Sequence, residues 1–302
     1  MDTAPVFLGV DVGGTKIAAG VVDRAGAIIW RTRLPTPPGG TGEEVFSVVA
    51  AVVRAAVDEH RIEAVGVGSA GPVDLPNGAV SPVNIHGWRG FPLRARVEAL
   101  VDVPVELAGD GPCMALGEHW TGAGRGVGSM VGLVVSTGVG GGFVFDGKPF
   151  GGRTGNAGHL GHMVVEPEGD PCPCGGRGCV EAVASGPSLV KWARRQGWQA
   201  PGHADAAHLA AAALAGDAVA KAAFDRGGRA VGLSIVAAAA LCDVELAVVG
   251  GGVAQAGDLL FDPIRAAVAE HGVLGFVRDI EVVPALLGGD AGIVGAAALV
   301  AR

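Results

Sequence analysis

Short apolar runs alternate with amphipathic stretches along the first third of the chain, and their spacing predicts strands and helices. Val6–Val10 and Ile17–Val22 are apolar runs on either side of Asp11-Val12-Gly13-Gly14-Thr15-Lys16, which predicts a β-hairpin with glycines at its tip. Glu43–His60 has the periodicity of a helix. Further predicted segments are a strand over Ala27–Leu34, a loop over Pro35–Gly42, a strand over Ala64–Gly68, a helix over Pro92–Val101 and a strand over Val103–Leu107.

A similar order begins again after residue 128. Met130–Val135 is strand-like, Ser136–Gly142 is predicted to be a glycine turn, and Phe143–Asp146 continues as strand. Helices are predicted over Ser188–Gln196, Asp205–Leu214, Ala218–Leu241, Pro263–His271 and Asp290–Val300, with a buried strand over Glu245–Val249. This mixture predicts an α/β protein with a duplicated architecture, whose last helix is expected to pack against the first lobe.

Composition and charge narrow the class of protein. A chain of 302 residues is long enough for two lobes, and its hydrophobic fraction of 49% and charged fraction of 17% are typical of a globular protein. The net charge of −8 argues against nucleic acid as a partner, because such binding depends on Lys and Arg. No apolar run reaches the roughly 18–20 residues of a membrane span, and no signal peptide is recognisable. We therefore expect a cytoplasmic protein that acts on small molecules.

One imidazole and three thiols are concentrated in a single glycine-rich segment. His162, Cys172, Cys174 and Cys179 form a His-Cys₃ set, which suits a tetrahedral zinc ion. Four protein ligands close the coordination sphere, so this zinc would be structural, and its task would be to fix the nearby side chains. The alternative is a group of unrelated buried thiols, since free Cys often behaves as a small hydrophobe.

Two glycine turns are candidates for binding phosphate. In the first, Gly13 and Gly14 allow backbone N–H groups to converge on an anion, Thr15 adds a hydroxyl and Lys16 adds a cation. Asp11 precedes this turn and could hold Mg²⁺ through water. A second cradle starts at Thr137 and Gly138, and Gly251 and Gly252 could admit a flat adenine ring. The alternative is that each turn needs glycine only for its tight geometry.

These motifs resemble the ROK family of sugar kinases and repressors within the actin-like ATPase superfamily, along essentially the whole chain. The resemblance rests on five segments besides Asp11–Lys16, namely Gly71-Pro72-Val73-Asp74, Asn84–Arg89, Ser136–Gly142, Gly158–His162 and the Cys-x-Cys-Gly-x-x-Gly-Cys-x-Glu element at 172–181. It implies a two-lobe, ribonuclease H-like α/β fold with ATP in the cleft. The expected small lobe is 1–110, joined by the C-terminal helix 290–302, and the larger lobe is 111–289 with the zinc loop 158–181. The implied reaction transfers the γ-phosphate of ATP, with Mg²⁺, to the 6-hydroxyl of a sugar.

The resemblance also implies roles for particular residues. Asp110 matches the catalytic aspartate and would be the general base, whereas its residue type and position alone would favour a helix N-cap. His162 matches a histidine that binds zinc while its loop touches the sugar, and Glu181 matches a glutamate that accepts bonds from sugar hydroxyls. Gly71 and Asn84 complete the implied sugar site. For Asn84, local capping is the alternative, and the same holds for Asn156.

Two positions depart from the family pattern and bear on the substrate. Family glucokinases usually have Glu-x-Gly-His where this chain has His159-Leu-Gly-His162, a form that resembles bacterial N-acetylmannosamine kinases. Histidine both donates and accepts hydrogen bonds, so His159 should recognise a different pattern at C1 and C2 of the sugar. Gly109 replaces an Asn that commonly precedes the catalytic aspartate. Glucose, mannose and N-acetylmannosamine stay open as substrates, and ATP or polyphosphate as donor.

Two functions other than a kinase are also compatible with the family resemblance. One is a sugar-binding ROK protein that has lost catalysis, which Gly109 and His159 would explain. The other is a ROK-type transcriptional regulator that lacks its DNA-binding domain; strand sequence begins by Val6, which is expected to leave no room for such a domain, and the acidic charge opposes DNA binding. The family resemblance further implies a homodimer or homotetramer.

Overall fold

The computed structural model describes residues 5–301, which form a mixed α/β fold with two five-stranded sheets. The strands are β1 Val6–Val12, β2 Lys16–Asp23, β3 Ile28–Pro35, β4 Ile62–Ser69, β5 Val73–Asp74, β6 Ala79–Val80, β7 Val105–Gly109, β8 Ser129–Val135, β9 Val139–Phe145, β10 Lys148–Phe150, β11 Leu246–Gly250 and β12 Glu281–Pro284. The helices are α1 Gly42–Glu59, α2 Leu93–Glu98, α3 Asp110–Thr121, α4 Val180–Ala184, α5 Gly186–Arg195, α6 Ala206–Leu214, α7 Ala218–Cys242, α8 Asp258–His271, α9 Gly275–Arg278 and α10 Ala291–Ala298. The predicted α/β class is confirmed.

The first sheet has the order β3-β2-β1-β4-β7. The predicted hairpin is confirmed, because β1 and β2 pair antiparallel up to Val12 and Ile17. β1, β4 and β7 run parallel to one another, so their carboxyl ends lie at one edge of the sheet. Alternate residues of β1 face opposite sides, with Leu8 in the core that includes α1 and Phe7 in the core that includes α10.

Helix α1 shows why the amphipathic prediction succeeded. The Thr41 side chain accepts a hydrogen bond from the Glu44 N–H, and the Glu44 carboxylate accepts one from the Thr41 N–H, which forms a capping box. Val45, Val49 and Val53 are then buried on the face that covers the first sheet. The start signal and the apolar stripe are both local in sequence, and the predicted helix matches α1 within one residue at each end.

The second sheet has the order β10-β9-β8-β11-β12, and β5 and β6 pair as a separate ribbon. The predicted glycine turn over 136–142 is corrected here, because β9 begins at Val139 and only 136–138 form the turn. Gly142 lies in β9. A Cβ at this position would come within 2.5 Å of the Pro112 backbone. Glycine therefore permits a close backbone contact at this position rather than a turn.

Helix α8 also differs from the prediction. It begins at Asp258, five residues before Pro263, where the sequence predicts its start. Pro263 packs against Gly228 of α7, where a Cβ would lie 2.5 Å from the proline ring. Pro263 is the sixth residue of α8 and lies inside the helix, beyond the first turn whose backbone N–H groups lack helical partners.

The chain divides into two compact units. The first contains the residues up to Gly128, Gly142–Gly158 and the segment from Leu287, and the second contains Ser129–Gly141 and His159–Leu286. This partition differs from the expected boundary at residue 110, since α3 packs against α10 and therefore belongs to the first unit. The expected lobes thus remain a prediction about the family fold. Within the described residues no single helix is long and apolar enough to cross a membrane, and the one pair that qualifies together, Ala206–Leu214 with Ala218–Cys242, is bent by 118°.

Candidate active-site residues

The Asp11–Lys16 turn is held by backbone and hydroxyl contacts. The Gly13 N–H donates to the Lys16 carbonyl at 3.0 Å, and the Thr36 hydroxyl donates to the Gly13 carbonyl at 2.7 Å. Thr15 at the tip is exposed. A Cβ on Gly14 would lie 2.5 Å from the amide nitrogen of Asn84, so Asn84 is in contact with this turn. Glycine turns can bind anions where their backbone N–H groups converge, and in this turn the Gly13 N–H is engaged by the Lys16 carbonyl.

Two carboxylates lie near this turn at the same edge of the first sheet. Asp11 is near the carboxyl end of β1, and Asp110 follows directly after β7. Burial, together with the nearby negative charge of Asp11, raises the pKa of Asp110 to about 6. Burial also raises the pKa of Asp11, against the opposing charges of Lys16 and Arg33. A carboxyl group with a pKa close to neutrality is well placed to take up and release a proton.

Asp110 does not act as the helix N-cap. Gly109 occupies that position, and Asp110 is the first residue of α3. The Asp110 carboxylate accepts a hydrogen bond from the Gly111 N–H at 2.8 Å, and part of the residue remains accessible to solvent. The carboxyl group thus combines enclosure by backbone with an accessible face. This is what a proton acceptor for an external hydroxyl requires.

Among the loop side chains near this edge of the sheet, some contact the glycine turn and others hold the backbone in place. Asn156 accepts from the Val73 N–H at 2.9 Å and donates to the Val73 carbonyl at 2.6 Å, so its amide is engaged in holding the backbone. These bonds join Asn156 to a residue 83 positions earlier, so they are not local capping, and a role in sugar binding stays a prediction. Gly71 precedes a cis proline, and its carbonyl accepts from the Val83 N–H at 3.3 Å, which brings Asn84 toward Gly71. Trp88 in the same loop is fully buried and stacks on Phe91.

His159, His162 and Glu181 form a polar group within the second unit. The two imidazole rings are nearly parallel, with centroids 6.0 Å apart. Burial lowers the pKa of His159, the neighbouring His162 lowers it further, and the Glu181 carboxylate opposes both effects. His159 is therefore neutral at pH 7 and offers one donor and one acceptor. Glu181 is half-buried and accepts a hydrogen bond from the Val139 N–H at 2.9 Å.

The His-Cys₃ set comes together as the sequence predicts. The ligand atoms of His162, Cys172, Cys174 and Cys179 all lie within 4.8 Å of one another. The Sγ atoms of Cys174 and Cys179 are 3.8 Å apart, and the Cys172 Sγ is 3.8 Å from His162 Nδ1. Tetrahedral Zn–S bonds of 2.3 Å would separate two sulfurs by about 3.8 Å. The donor set and its spacing thus fit a zinc ion.

The cysteine loop is built around a tight backbone approach. The Cys172 N–H donates to the Gly176 carbonyl at 2.9 Å, and the Gly178 N–H donates to the Asp170 carbonyl at 2.8 Å. Gly178 has a φ of +66°, and a Cβ there would come within 1.5 Å of the Glu166 carbonyl oxygen. Only glycine fits this position, since it combines left-handed backbone with no room for a side chain. The Gly176 N–H lowers the pKa of Cys174, which favours the thiolate that binds metal.

The turn between β8 and β9 borders a cavity. This cavity has a volume of about 820 Å³ and lies within the second unit. Thr137 and Gly252 line it, as do Lys191, Arg194 and Arg195 of α5. Gly251 does not line it; a Cβ on Gly251 would lie 2.4 Å from the Val135 carbonyl, so this glycine serves the packing against β8.

The basic residues of α5 were missed in the sequence analysis. Pro187, Val190, Lys191 and Arg194 follow the i, i+3, i+4, i+7 spacing of one helix face, and all of them line the cavity. That spacing was visible in the sequence, but a basic helix face is equally typical of a surface open to solvent. Arg195 pairs with Asp170, and Arg194 donates to the carbonyls of Pro201 and Gly202.

An acidic strand edge beside a glycine hairpin is typical of proteins that handle nucleotide phosphates. A family model described as the ROK family matches residues 7–302. The chain therefore belongs to the ROK family.

Relatives and a solved structure extend this comparison. The glucokinase of Thermotoga maritima is 37% identical over 308 residues, which covers 97% of this chain and 96% of that protein. The N-acetylmannosamine kinase of Yersinia pseudotuberculosis is 35% identical over 292 residues, which covers 96% of each. A ROK family glucokinase from Streptomyces griseus, crystallised with glucose and AMPPNP, has a TM-score of 0.83 at 39% identity and covers 97% of this chain and 98% of its own.

Proposed function

We propose that the protein is an ATP-dependent sugar kinase that transfers the γ-phosphate to the 6-hydroxyl of a hexose or N-acylhexosamine. The observation that carries this proposal is the position of Asp110 at the same strand edge as the Asp11–Lys16 turn, with a pKa raised to about 6. Relatives with glucokinase and N-acetylmannosamine kinase activity, matched along nearly the whole chain, support it.

Asp110 acts as the general base in this proposal. Its carboxylate accepts the proton of the sugar hydroxyl as the oxygen bonds to the γ-phosphorus, and the bond from that phosphorus to the β–γ bridging oxygen breaks to release ADP. Most of the rate enhancement in phosphoryl transfer comes from positioning and from neutralising charge, so the surroundings of Asp110 matter as much as its basicity. Asp11 would hold Mg²⁺ through water, and the ion would neutralise phosphate charge.

The nucleotide is assigned to the two glycine turns and the cavity. Gly13, Gly14, Thr15 and Lys16 supply donors and one cation for phosphate oxygens, and Thr137 and Gly138 supply a second set of backbone and hydroxyl donors. The 820 Å³ cavity has room for an adenosine group, with Gly252 as a flat wall and Lys191 at its basic side. Gly251 then has an indirect role, through the backbone that carries Gly252.

The sugar is assigned to Gly71, Asn84, Asp110, His159, His162 and Glu181. His162 can serve both functions, because Nδ1 faces the thiols and its other ring nitrogen remains available. Neutral His159 both donates and accepts, which suits a substituent at C2 as well as a free hydroxyl. The actin-like two-lobe fold and a structural zinc bound by His162, Cys172, Cys174 and Cys179 belong to the same proposal.

A coupled assay with ATP and Mg²⁺ across glucose, mannose, N-acetylmannosamine and N-acetylglucosamine tests the function. We expect turnover on at least one of these sugars, abolished in Asp110→Asn. Binding of a sugar without turnover would instead favour the non-catalytic sugar-binding protein. Replacement of ATP by polyphosphate in the same panel identifies the donor.

The cellular setting is proposed on the same basis. We infer a cytoplasmic enzyme, because ATP is its donor, and a homodimer or homotetramer. Light scattering coupled to size exclusion measures the mass in solution against the chain mass of 29.9 kDa. A single species at the chain mass contradicts the proposed oligomer.

A further inference from the structure

Glu181 makes a contact that its assignment to the sugar does not explain. Its Oε2 accepts a hydrogen bond from the Val139 N–H at 2.9 Å, 42 residues earlier in the chain. A Cβ on Gly138 would lie only 2.6 Å from the same oxygen. The carboxylate therefore lies directly against the turn that joins β8 to β9.

The backbone around Glu181 reinforces this contact. The Ser188 hydroxyl donates to the Glu181 carbonyl at 2.9 Å, and the Gly186 N–H donates to the Ser136 carbonyl at 2.8 Å. The Ser136 N–H in turn donates to the Gly138 carbonyl at 2.8 Å, which closes the turn. Two contacts thus hold the Ser136–Gly138 turn against the segment that runs from α4 to the start of α5.

The two oxygens of Glu181 have different surroundings. Oε2 is committed to Val139, whereas Oε1 accepts no hydrogen bond among residues 5–301. A carboxylate can accept bonds at both oxygens at once. One side chain can therefore hold a ligand hydroxyl and the turn backbone together.

We propose that Glu181 is a positioning residue that couples sugar binding to the geometry of the Ser136–Gly138 turn, where the nucleotide phosphates bind. The inference rests on the proposed function and adds a link between its two substrates. A sugar hydroxyl on Oε1 restricts rotation of the carboxylate, and a restricted carboxylate fixes the Val139 N–H and the adjoining turn. Coupling of this kind is reciprocal, so ADP must raise sugar affinity by the same factor that sugar raises ADP affinity.

Two variants interrupt the link from opposite sides. Glu181→Gln keeps an oxygen but removes the charge and one acceptor. Gly138→Ala leaves Glu181 intact and places a methyl group where Oε2 lies. The matched control is Gly140→Ala, two residues further on in β9, where an added Cβ meets no atom within 4 Å. Circular dichroism and thermal melting establish that each variant is folded.

The measurement is the affinity for Mg·ADP by calorimetry, without sugar and with the sugar that the panel selects. We expect sugar to raise ADP affinity about fivefold or more in the unchanged protein, and this factor to fall toward one in Glu181→Gln and Gly138→Ala. ADP affinity without sugar should also fall in Gly138→Ala, because the turn loses its anchor. Gly140→Ala should keep both values.

Several outcomes overturn the inference. If Gly138→Ala retains the full coupling factor, or if Gly140→Ala loses as much as Gly138→Ala, displacement of Glu181 is not the cause. If Glu181→Gln raises the sugar KM alone and leaves the coupling unchanged, Glu181 only binds sugar. If no sugar binds to the unchanged protein, the proposed function fails. If Gly138→Ala leaves the ADP affinity unchanged, the anchoring of the turn by Glu181 is excluded.

Discussion

Asp110 and Asp11 illustrate how this protein places charge at the end of a sheet. Asp11 lies near the carboxyl end of β1 and Asp110 directly follows that of β7, and because these strands run parallel the fold brings like charges together. Each group is desolvated, and Asp11 raises the pKa of Asp110. A base with a pKa of about 6 remains ionised at pH 7.5 but is more basic than an ordinary aspartate. That combination favours proton uptake from an alcohol.

The first prediction concerns Asp110→Asn. Loss of the proton acceptor should lower kcat by about 10²–10⁴-fold, while the KM for ATP changes little. Steady-state kinetics on the preferred sugar measure both. Asp102→Asn is the control, because Asp102 is exposed in the turn before β7. An Asp110→Asn enzyme with more than about a tenth of the original kcat would contradict the assignment of the base.

The pH dependence follows from the same carboxyl group. The folded-state pKa of about 6 lies above the ordinary value of 3.8, so Asp110 loses its proton only as the pH rises through about 6. Because the ionised form is the base, kcat/KM for the sugar should rise through this range and level off above it. A pH profile between 5 and 8.5 measures it, and a flat profile below pH 6.5 is the contrary result.

At the scale of elements, the proposed function gives the segment 158–181 two tasks, binding zinc and binding the sugar. The segment 158–181 carries the His-Cys₃ ligands and also His159 and Glu181, which are assigned to the sugar. Without an ion, the four ligand atoms would lack the bonds that fix their positions relative to one another. The ion would therefore act on substrate binding through the loop, without taking part in the reaction.

Removing a ligand should make this visible. Cys179→Ser should lose the zinc that metal analysis is expected to find at about one equivalent per chain, and should lower kcat/KM for the sugar by about tenfold or more. Cys242→Ser is the control, since Cys242 is half-buried at the end of α7, outside the loop. An unchanged protein that purifies free of metal and turns over normally would argue against the site.

Helix α10 contacts the first sheet through glycines on the strands. A Cβ on Gly66 would come within 1.7 Å of the Ala296 carbonyl, and one on Gly9 within 2.0 Å of the Ile293 carbonyl. The helix backbone thus lies directly on the strand backbone. Gly66→Ala should destabilise the protein by about 1–3 kcal/mol, since the helix must move outward.

Chemical denaturation measures this effect, with Gly202→Ala as the control because its added Cβ meets no atom within 4 Å. A Gly66→Ala protein as stable as the control would mean that the helix moves at no cost.

The local elements were largely predictable, whereas contacts between distant segments were not. The Thr41–Glu44 capping box and the glycine tip of the first hairpin are short-range signals, and the elements that depend on them were found. The predicted turn extended wrongly over 139–142, where Gly142 permits a close contact with Pro112 that no local pattern reveals.

The same distinction applies to the site. The grouping of His162, Cys172, Cys174 and Cys179 was predictable because a metal site constrains both residue type and spacing. The proximity of Asp11 to Asp110 followed from parallel strands only once the sheet order was known. The contact of Glu181 with Val139 depends on the path of α4 relative to β9, and a lone glutamate in a sequence carries no sign of it.

At the scale of the whole molecule, charge separates the candidate functions. The net charge of −8 means that acidic residues outnumber the Lys and Arg that would neutralise a phosphate backbone. We expect no saturable binding of duplex DNA at physiological salt, measured by fluorescence anisotropy with a labelled random duplex. Binding that weakens linearly in log salt would support the regulator instead.

The chain order of the first unit has a consequence for synthesis of the protein. Its sheet is complete after β7, yet α10 lies beyond the whole of the second unit. A nascent chain therefore exposes the bare strand glycines until residues 291–298 have been synthesised. A chain that stops before residue 291 lacks the helix that covers this face of the sheet.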